Sequence, residues 1–165
     1  MTMQSIERLL AHNVGLSSEA APTAAPPTLR LAIVTCMDAR IDLFGALGLA
    51  LGEAHILRNA GGAITDDVIR SLAISQRKLG TREVMVIQHT KCGMQSITDD
   101  EFRDELERDA GLPPPFTAEA FVDLEANLRE SMRRLRESPF LSHRDAIRGF
   151  VYDVDTHELR EVPRG

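Results

Sequence analysis

The sequence predicts an α/β fold built on a mainly parallel sheet. Short apolar runs recur at Leu31–Thr35, Ala54–Leu57 and Val84–Ile87, without the polar alternation of a half-solvated strand. A strongly amphipathic stretch lies between the second and third runs, and strand-like and helix-like segments alternate from Leu31 onward. Crossover helices in such a fold are expected to cover both faces of the sheet.

Taken in order, residues 3–13 read as a short amphipathic helix, with Ile6, Leu9 and Leu10 on one side and Glu7 and Arg8 on another. Ser17–Thr28 is rich in Ala, Pro and Ser and includes Pro22, Pro26 and Pro27, a composition that is extended and packs no core. Residues 1–30 thus form an N-terminal helical arm, either a solvated leader or an arm lying on a neighbouring subunit. Residues 31–165 are expected to form a single α/β domain. Thr65 is the expected N-cap of the strongest helix, with Asp66 and Asp67 in its first turn. Val68, Ile69, Leu72, Ala73, Gln76 and Leu79 follow at helical spacing, Gln76 being the one polar member. Arg77 and Lys78 occupy the last turn and Gly80 stops it. Thr98–Ala110 reads as an acidic helix broken off by Pro113–Pro115. A further helix carries Phe121, Leu124, Leu128, Met132 and Leu135 on one stripe. Phe150–Val154 reads as a strand, turning at Asp155-Thr156-His157 into Leu159–Val162 as a hairpin-like C-terminal extension.

At 165 residues the length fits one domain. The formal net charge of −6, with no basic run, argues against nucleic acid as a partner. No apolar stretch approaches the roughly 20 residues of a membrane span, and the N-terminus lacks the pattern of a signal peptide. Two cysteines make no disulfide framework, so a cytoplasmic setting is expected.

The same two cysteines carry the chemistry. Cys36 directly follows the first apolar run and His89 follows the third, at the strand ends where open α/β sheets collect their ligands. Cys92 completes His-x-x-Cys, which one turn can aim at a single ion. Two thiolates and an imidazole suit Zn²⁺, and three protein ligands leave an open, catalytic position. The bland alternatives are a small buried hydrophobe for each cysteine and a surface loop for the histidine. Asp38 and Arg40 sit at alternate positions beside Cys36, as a surface ion pair, a cap or a dyad serving a metal. Arg58-Asn59-Ala60-Gly61-Gly62 ends the second run, and it lacks both Gly-x-Gly-x-x-Gly and Gly-Lys-Ser/Thr. Its glycines suit a tight turn, or a backbone wall formed by Ala60, Gly61 and Gly62 against a very small ligand.

Together, Cys36-x-Asp38-x-Arg40, Arg58-Asn59-Ala60-Gly61-Gly62 and His89-Thr90-Lys91-Cys92-Gly93-Met94 resemble the β-class carbonic anhydrases. The similarity runs from about Leu31 to Leu159 and takes in Ile147–Val154. The helix start Asp66-Asp67-Val68-Ile69-Arg70-Ser71-Leu72 is similar to that of the short bacterial members. The resemblance implies one zinc per chain on Cys36, His89 and Cys92, Asp38 and Arg40 as the dyad, and a homodimer or higher homo-oligomer. It implies reversible hydration of CO₂ to bicarbonate by zinc-bound hydroxide, with Asp38 orienting the nucleophile and Arg40 holding Asp38. It also implies a closed state in which Asp38 becomes the fourth zinc ligand. A carbonyl sulfide or carbon disulfide hydrolase on the same site, and a noncatalytic zinc protein, are the alternative expectations. His55, His143 and His157 are eligible proton carriers by type alone, and none is assigned.

Overall fold

The apolar runs become the strands of a five-stranded sheet in a computed structural model that describes residues 6, 8–11 and 24–164. The strands are β1 (Leu31–Cys36), β2 (Ala54–Asn59), β3 (Glu83–His89), β4 (Ile147–Tyr152) and β5 (Leu159–Val162), in the order β2-β1-β3-β4-β5. The first four run parallel and β5 closes the edge antiparallel to β4, which is the expected C-terminal hairpin. Register sets the site. Cys36 pairs with Asn59 and Thr35 with Ile87, so the carboxyl ends of β2, β1 and β3 finish together and His89 lies just beyond.

Alternation along each strand divides the core in two. Ala32, Val34, Val84, Val86 and Ile147 face one way and pack under α2 (Asp66–Leu79) and α4 (Leu124–Glu137). Leu72, Leu128 and Leu135 are fully buried there, each contributing about 1.5–3 kcal/mol of transfer free energy. Ile33, Ile87 and Tyr152 face the other way, with Cys36, Cys92 and Leu43 of α1 (Leu43–Leu47). The helices are therefore shared unequally: two long ones lie on the first face and a five-residue one on the second. The acidic helix α3 (Asp99–Ala110) buries none of its residues.

Helix boundaries follow capping chemistry. Thr65 Oγ1 accepts from Val68 N at 3.3 Å and starts α2, while Gly80 ends it in the left-handed conformation. Thr98 caps α3 in the same way. Asp123 accepts from Ala126 N at 2.8 Å, so α4 begins at Leu124 and Phe121 falls outside the stripe in which its spacing placed it. Phe121 instead donates its N–H to Met94 O and packs with the second core. The fourth strand starts at Ile147 and stops at Tyr152; Val154 leaves the ladder because its N–H bonds Thr90 Oγ1.

Near the N-terminus, residues 6 and 8–11 are helical, and Ile6, Leu9 and Leu10 are exposed. The remainder of the expected 3–13 helix, and residues 17–23 of the Pro-rich stretch, lie outside the described residues.

Candidate metal centre

β1 delivers Cys36 and β3 delivers His89. The turn after His89 brings Cys92 back, so that one ligand atom from each of the three lies within 4.8 Å of the others. All three residues are buried. His89 Nδ1 lies 2.8 Å from the carbonyl oxygen of Thr90. A carbonyl only accepts, so Nδ1 carries a proton, and in the neutral ring Nε2 presents a lone pair. That Nε2 is buried and has no hydrogen-bond partner. An orphaned acceptor beside two buried thiols is costly unless something electrophilic occupies the space between them. Two sulfurs and one nitrogen suit zinc and disfavour the hard cations that prefer oxygen. The residues fit the ion, and the Nδ1 bond is the outer contact that orients a metal-binding histidine.

Electrostatics separate the two thiols. Burial alone would raise Cys36, but the neighbouring His89 and the backbone of Asp38 and Gly61 outweigh it and hold the thiol below its ordinary value. Burial pushes Cys92 up, and the charge on Cys36 adds to that. Burial would lower His89; the facing Cys36, the Thr90 carbonyl and Asp38 together reverse this and raise it.

Asp38 and Arg40 stand beside this cluster. Arg40 donates from Nε to Oδ1 at 2.9 Å and from Nη2 to Oδ2 at 2.7 Å, and its backbone N–H adds a third bond to Oδ1 at 2.9 Å. Arg40 Nη2 also reaches Lys91 O at 2.9 Å. The guanidinium beside Asp38 holds its carboxyl well below the usual carboxylate range. Asp38 Oδ2 lies 3.7 Å from His89 Nε2, so the ionised group faces the cluster without joining it.

The third motif packs against Cys36. Asn59 accepts from Ala63 N at 2.8 Å and donates to Ala63 O at 2.9 Å, clamping the loop between them. Gly61 and Gly62 both have positive φ, at 76° and 62°. Gly61 N–H then points at Cys36 Sγ, 3.3 Å away. A Cβ on Gly62 would lie 3.1 Å from Cys36 N. Gly61 and Gly62 therefore lie against Cys36, with Met94 and Phe121 packed on Gly61.

Residues 31–112 match the family model described as carbonic anhydrase. The protein named Beta-carbonic anhydrase 1 of Mycobacterium tuberculosis is 48% identical over 154 residues, spanning 93% of this chain and 94% of that one. This chain belongs to the β-carbonic anhydrase family. The crystal structure of carbonic anhydrase from Streptococcus mutans superposes with a TM-score of 0.88 at 44% identity, covering 99% of this chain and 98% of the other. A relative named Carbon disulfide hydrolase, from Saccharolobus solfataricus, is 39% identical over 160 residues, covering 82% of this chain and 78% of its own length.

In this β-carbonic anhydrase the side chains of two other histidines are engaged elsewhere. His55 Nδ1 lies 2.7 Å from Ser75 Oγ, on the face under α2. His157 Nδ1 lies 2.5 Å from the hydroxyl of buried Tyr152. Two site neighbours went unread in the sequence. Lys91, between His89 and Cys92, has φ 54°; its carbonyl accepts from Arg40 and its Nζ pairs with Asp155 at 2.5 Å. Asn59 was visible only as part of a glycine-rich turn, although an Asn preceding glycines is a signal for a loop closed by its own side chain.

Proposed function

We propose that this chain catalyses the reversible hydration of CO₂ to bicarbonate and a proton, with a single zinc ion held by Cys36, His89 and Cys92. The observation that carries the reading is the unpartnered His89 Nε2, buried between two thiols and faced by an Asp38 carboxylate that Arg40 already holds. Zinc, when bound, supplies the Lewis acidity that yields a hydroxide-like nucleophile near neutral pH. Two thiolates offset the ion's charge, so the surrounding residues must assist. Asp38 is ionised and can only accept; with Arg40 occupying three of its lone-pair positions, the remaining one receives the O–H of the nucleophile and orients it toward carbon. Arg40 keeps Asp38 off the ligand set, the open arrangement. The Gly61 N–H draws charge from Cys36 Sγ and weakens it as a donor to the metal. Ala60, Gly61 and Gly62 offer a wall without bulky side chains, which suits a small apolar substrate.

The test is zinc content together with stopped-flow CO₂ hydration, for the wild type and Asp38→Ala. Stoichiometric zinc in both, with fast hydration in the wild type alone, is expected. Zinc-loaded wild type that does not hydrate CO₂ at alkaline pH overturns the reading. Sulfide release from carbon disulfide is assayed in parallel, because a relative carries that activity in its name; sulfide release in place of hydration assigns the site to that reaction.

The same proposal makes residues 31–165 the catalytic unit and residues 1–30 an arm, and places a homodimer or higher homo-oligomer in a bacterial cytoplasm. Among the described residues no helix is long and apolar enough to cross a membrane. The lightly covered second face of the sheet gives a second copy apolar surface to bury. Light scattering on the purified chain tests the assembly, and a monomeric mass overturns it.

A further inference from the structure

Arg58, near the end of β2, forms no ion pair among the described residues, and its guanidinium is spent on three backbone carbonyls. Nε donates to Cys36 O at 2.9 Å, Nη2 to Asp38 O at 2.6 Å and Nη1 to Ile41 O at 3.4 Å. All three acceptors lie in Cys36–Ile41, the stretch that leaves β1 and carries Cys36, Asp38 and Arg40. Beyond Cys36, the last residue of β1, it is neither strand nor helix. Outside the strand ladder, its main-chain-to-main-chain bonds are Met37 N to Asn59 O and Ile41 N to Asp38 O. A planar fork of fixed donors suits several acceptors at defined angles, and a flexible ammonium does not. The two arginines divide the segment between them. Arg40 holds the carboxylate of Asp38, and Arg58 holds the main chain beneath it, including the carbonyl of Asp38 itself.

We propose that Arg58 is a positioning residue of this site, fixing the Cys36–Ile41 backbone so that Asp38 gives both oxygens to Arg40 and keeps its remaining lone pair for the reacting oxygen. The inference rests on the function proposed above. Neither the β1–β2 ladder nor the ligand atoms require the Arg58 side chain, since the ladder is main-chain pairing and the ligands are Cys36, His89 and Cys92. Removing the fork should therefore leave fold and metal in place and disturb the placement of Asp38.

The experiment compares Arg58→Met and Arg58→Lys with the wild type in zinc content, melting temperature, kcat and KM for CO₂, and the visible absorption of the cobalt-substituted protein. Arg58→Met is expected to keep stoichiometric zinc. Its kcat should fall about tenfold to a hundredfold, the range found when groups supporting metal ligands are removed, with KM within about twofold. Its cobalt spectrum should differ from the wild type, and Arg58→Lys should recover part of both losses. Unchanged kcat and spectrum in Arg58→Met overturn the proposal. So does an activity loss that merely follows lost zinc or a collapsed melting temperature. Should Arg58→Met fail to fold, Arg58→Lys decides: lowered kcat at wild-type melting temperature supports the proposal, and wild-type kcat overturns it. Should zinc-loaded wild type not hydrate CO₂, the functional reading fails and the cobalt spectrum still decides. A spectrum altered in Arg58→Met and partly restored in Arg58→Lys upholds positioning, and an unaltered one ends it.

Discussion

Arg40 grips Asp38 by both carboxylate oxygens, with Nε 2.9 Å from Oδ1 and Nη2 2.7 Å from Oδ2. The pair is two residues apart in sequence, so it forms without help from distant packing. Its orientation does need help, and Lys91 O supplies it by accepting from the same Nη2. A fork that engages two oxygens and a carbonyl is geometry only a guanidinium provides.

Arg40→Lys should therefore lower kcat for CO₂ hydration by about tenfold or more, although the charge is kept, because bidentate recognition is lost. Asp38→Asn, which preserves shape and removes the acceptor charge, should cost about 10²–10³-fold. Zinc should stay stoichiometric in both, since neither side chain is in the ligand cluster. Stopped-flow rates beside metal analysis check this; wild-type kcat in Asp38→Asn would remove Asp38 from the mechanism.

Gly62→Ala tests the wall. The new Cβ would face Cys36 N and Thr35 C at 3.1 Å and Ile87 O at 3.3 Å, all main-chain atoms, on a residue with φ 62°. Backbone cannot swing aside as a side chain can. The left-handed conformation alone costs about 1–2 kcal/mol for a non-glycine residue. We expect a clear drop in melting temperature and weaker zinc retention against a chelator, because the strand that must shift carries Cys36. Wild-type values for both would mean that the loop relaxes freely.

Much of this site was legible because it sits at strand ends. The runs leading into Cys36 and His89 are apolar on both faces, so the strands and their carboxyl ends were readable, and Asp38 and Arg40 were close enough to Cys36 to be read with it. Three kinds of feature were not legible. The five-residue α1 is too short for periodicity to register. Phe121 fits the α4 stripe by spacing, yet the Asp123 cap starts the helix after it. Gln76 looked like a polar intruder on an apolar stripe. Its amide in fact pins Ser142 and His143, accepting from both backbone N–H groups at 2.9 and 3.0 Å and donating to His143 O at 2.8 Å. Such long-range partners are invisible to local pattern.

Acid should weaken the tie between α4 and the edge strand β5. Glu125 accepts from Arg160 at 2.7 Å and from Arg129 at 2.9 Å, and these, Arg160 foremost, hold its carboxyl below the ordinary range. A carboxyl depressed in the folded state stabilises above its unfolded pKa, about 4.3 for Glu, and loses that contribution as pH falls through the lower folded value. The pair is solvent-exposed, so the effect is small and screened by salt. Wild type should melt slightly above Glu125→Gln at pH near 7 and low ionic strength, and the gap should close in acid below about pH 4. A gap that persists or grows on acidification contradicts the assignment.

Lys91 offers the most discriminating stability test, because its backbone makes glycine and alanine change places in the usual order. It lies between His89 and Cys92 with φ 54°, a conformation that L side chains rarely adopt and that turns its carbonyl to Arg40. Its Nζ–Asp155 pair is exposed on both sides and contributes at most about 1 kcal/mol. Lys91→Ala loses the pair and keeps the strain, whereas Lys91→Gly loses the pair and relieves it. In an ordinary position glycine is the less stable choice, because the unfolded chain gains entropy. Here Lys91→Gly should be more stable than Lys91→Ala by about 1 kcal/mol, read as a higher melting temperature at equal zinc loading. If alanine were the more stable of the two, the left-handed geometry at Lys91 would not hold in solution, and the carbonyl that steadies Arg40 would have to come from elsewhere.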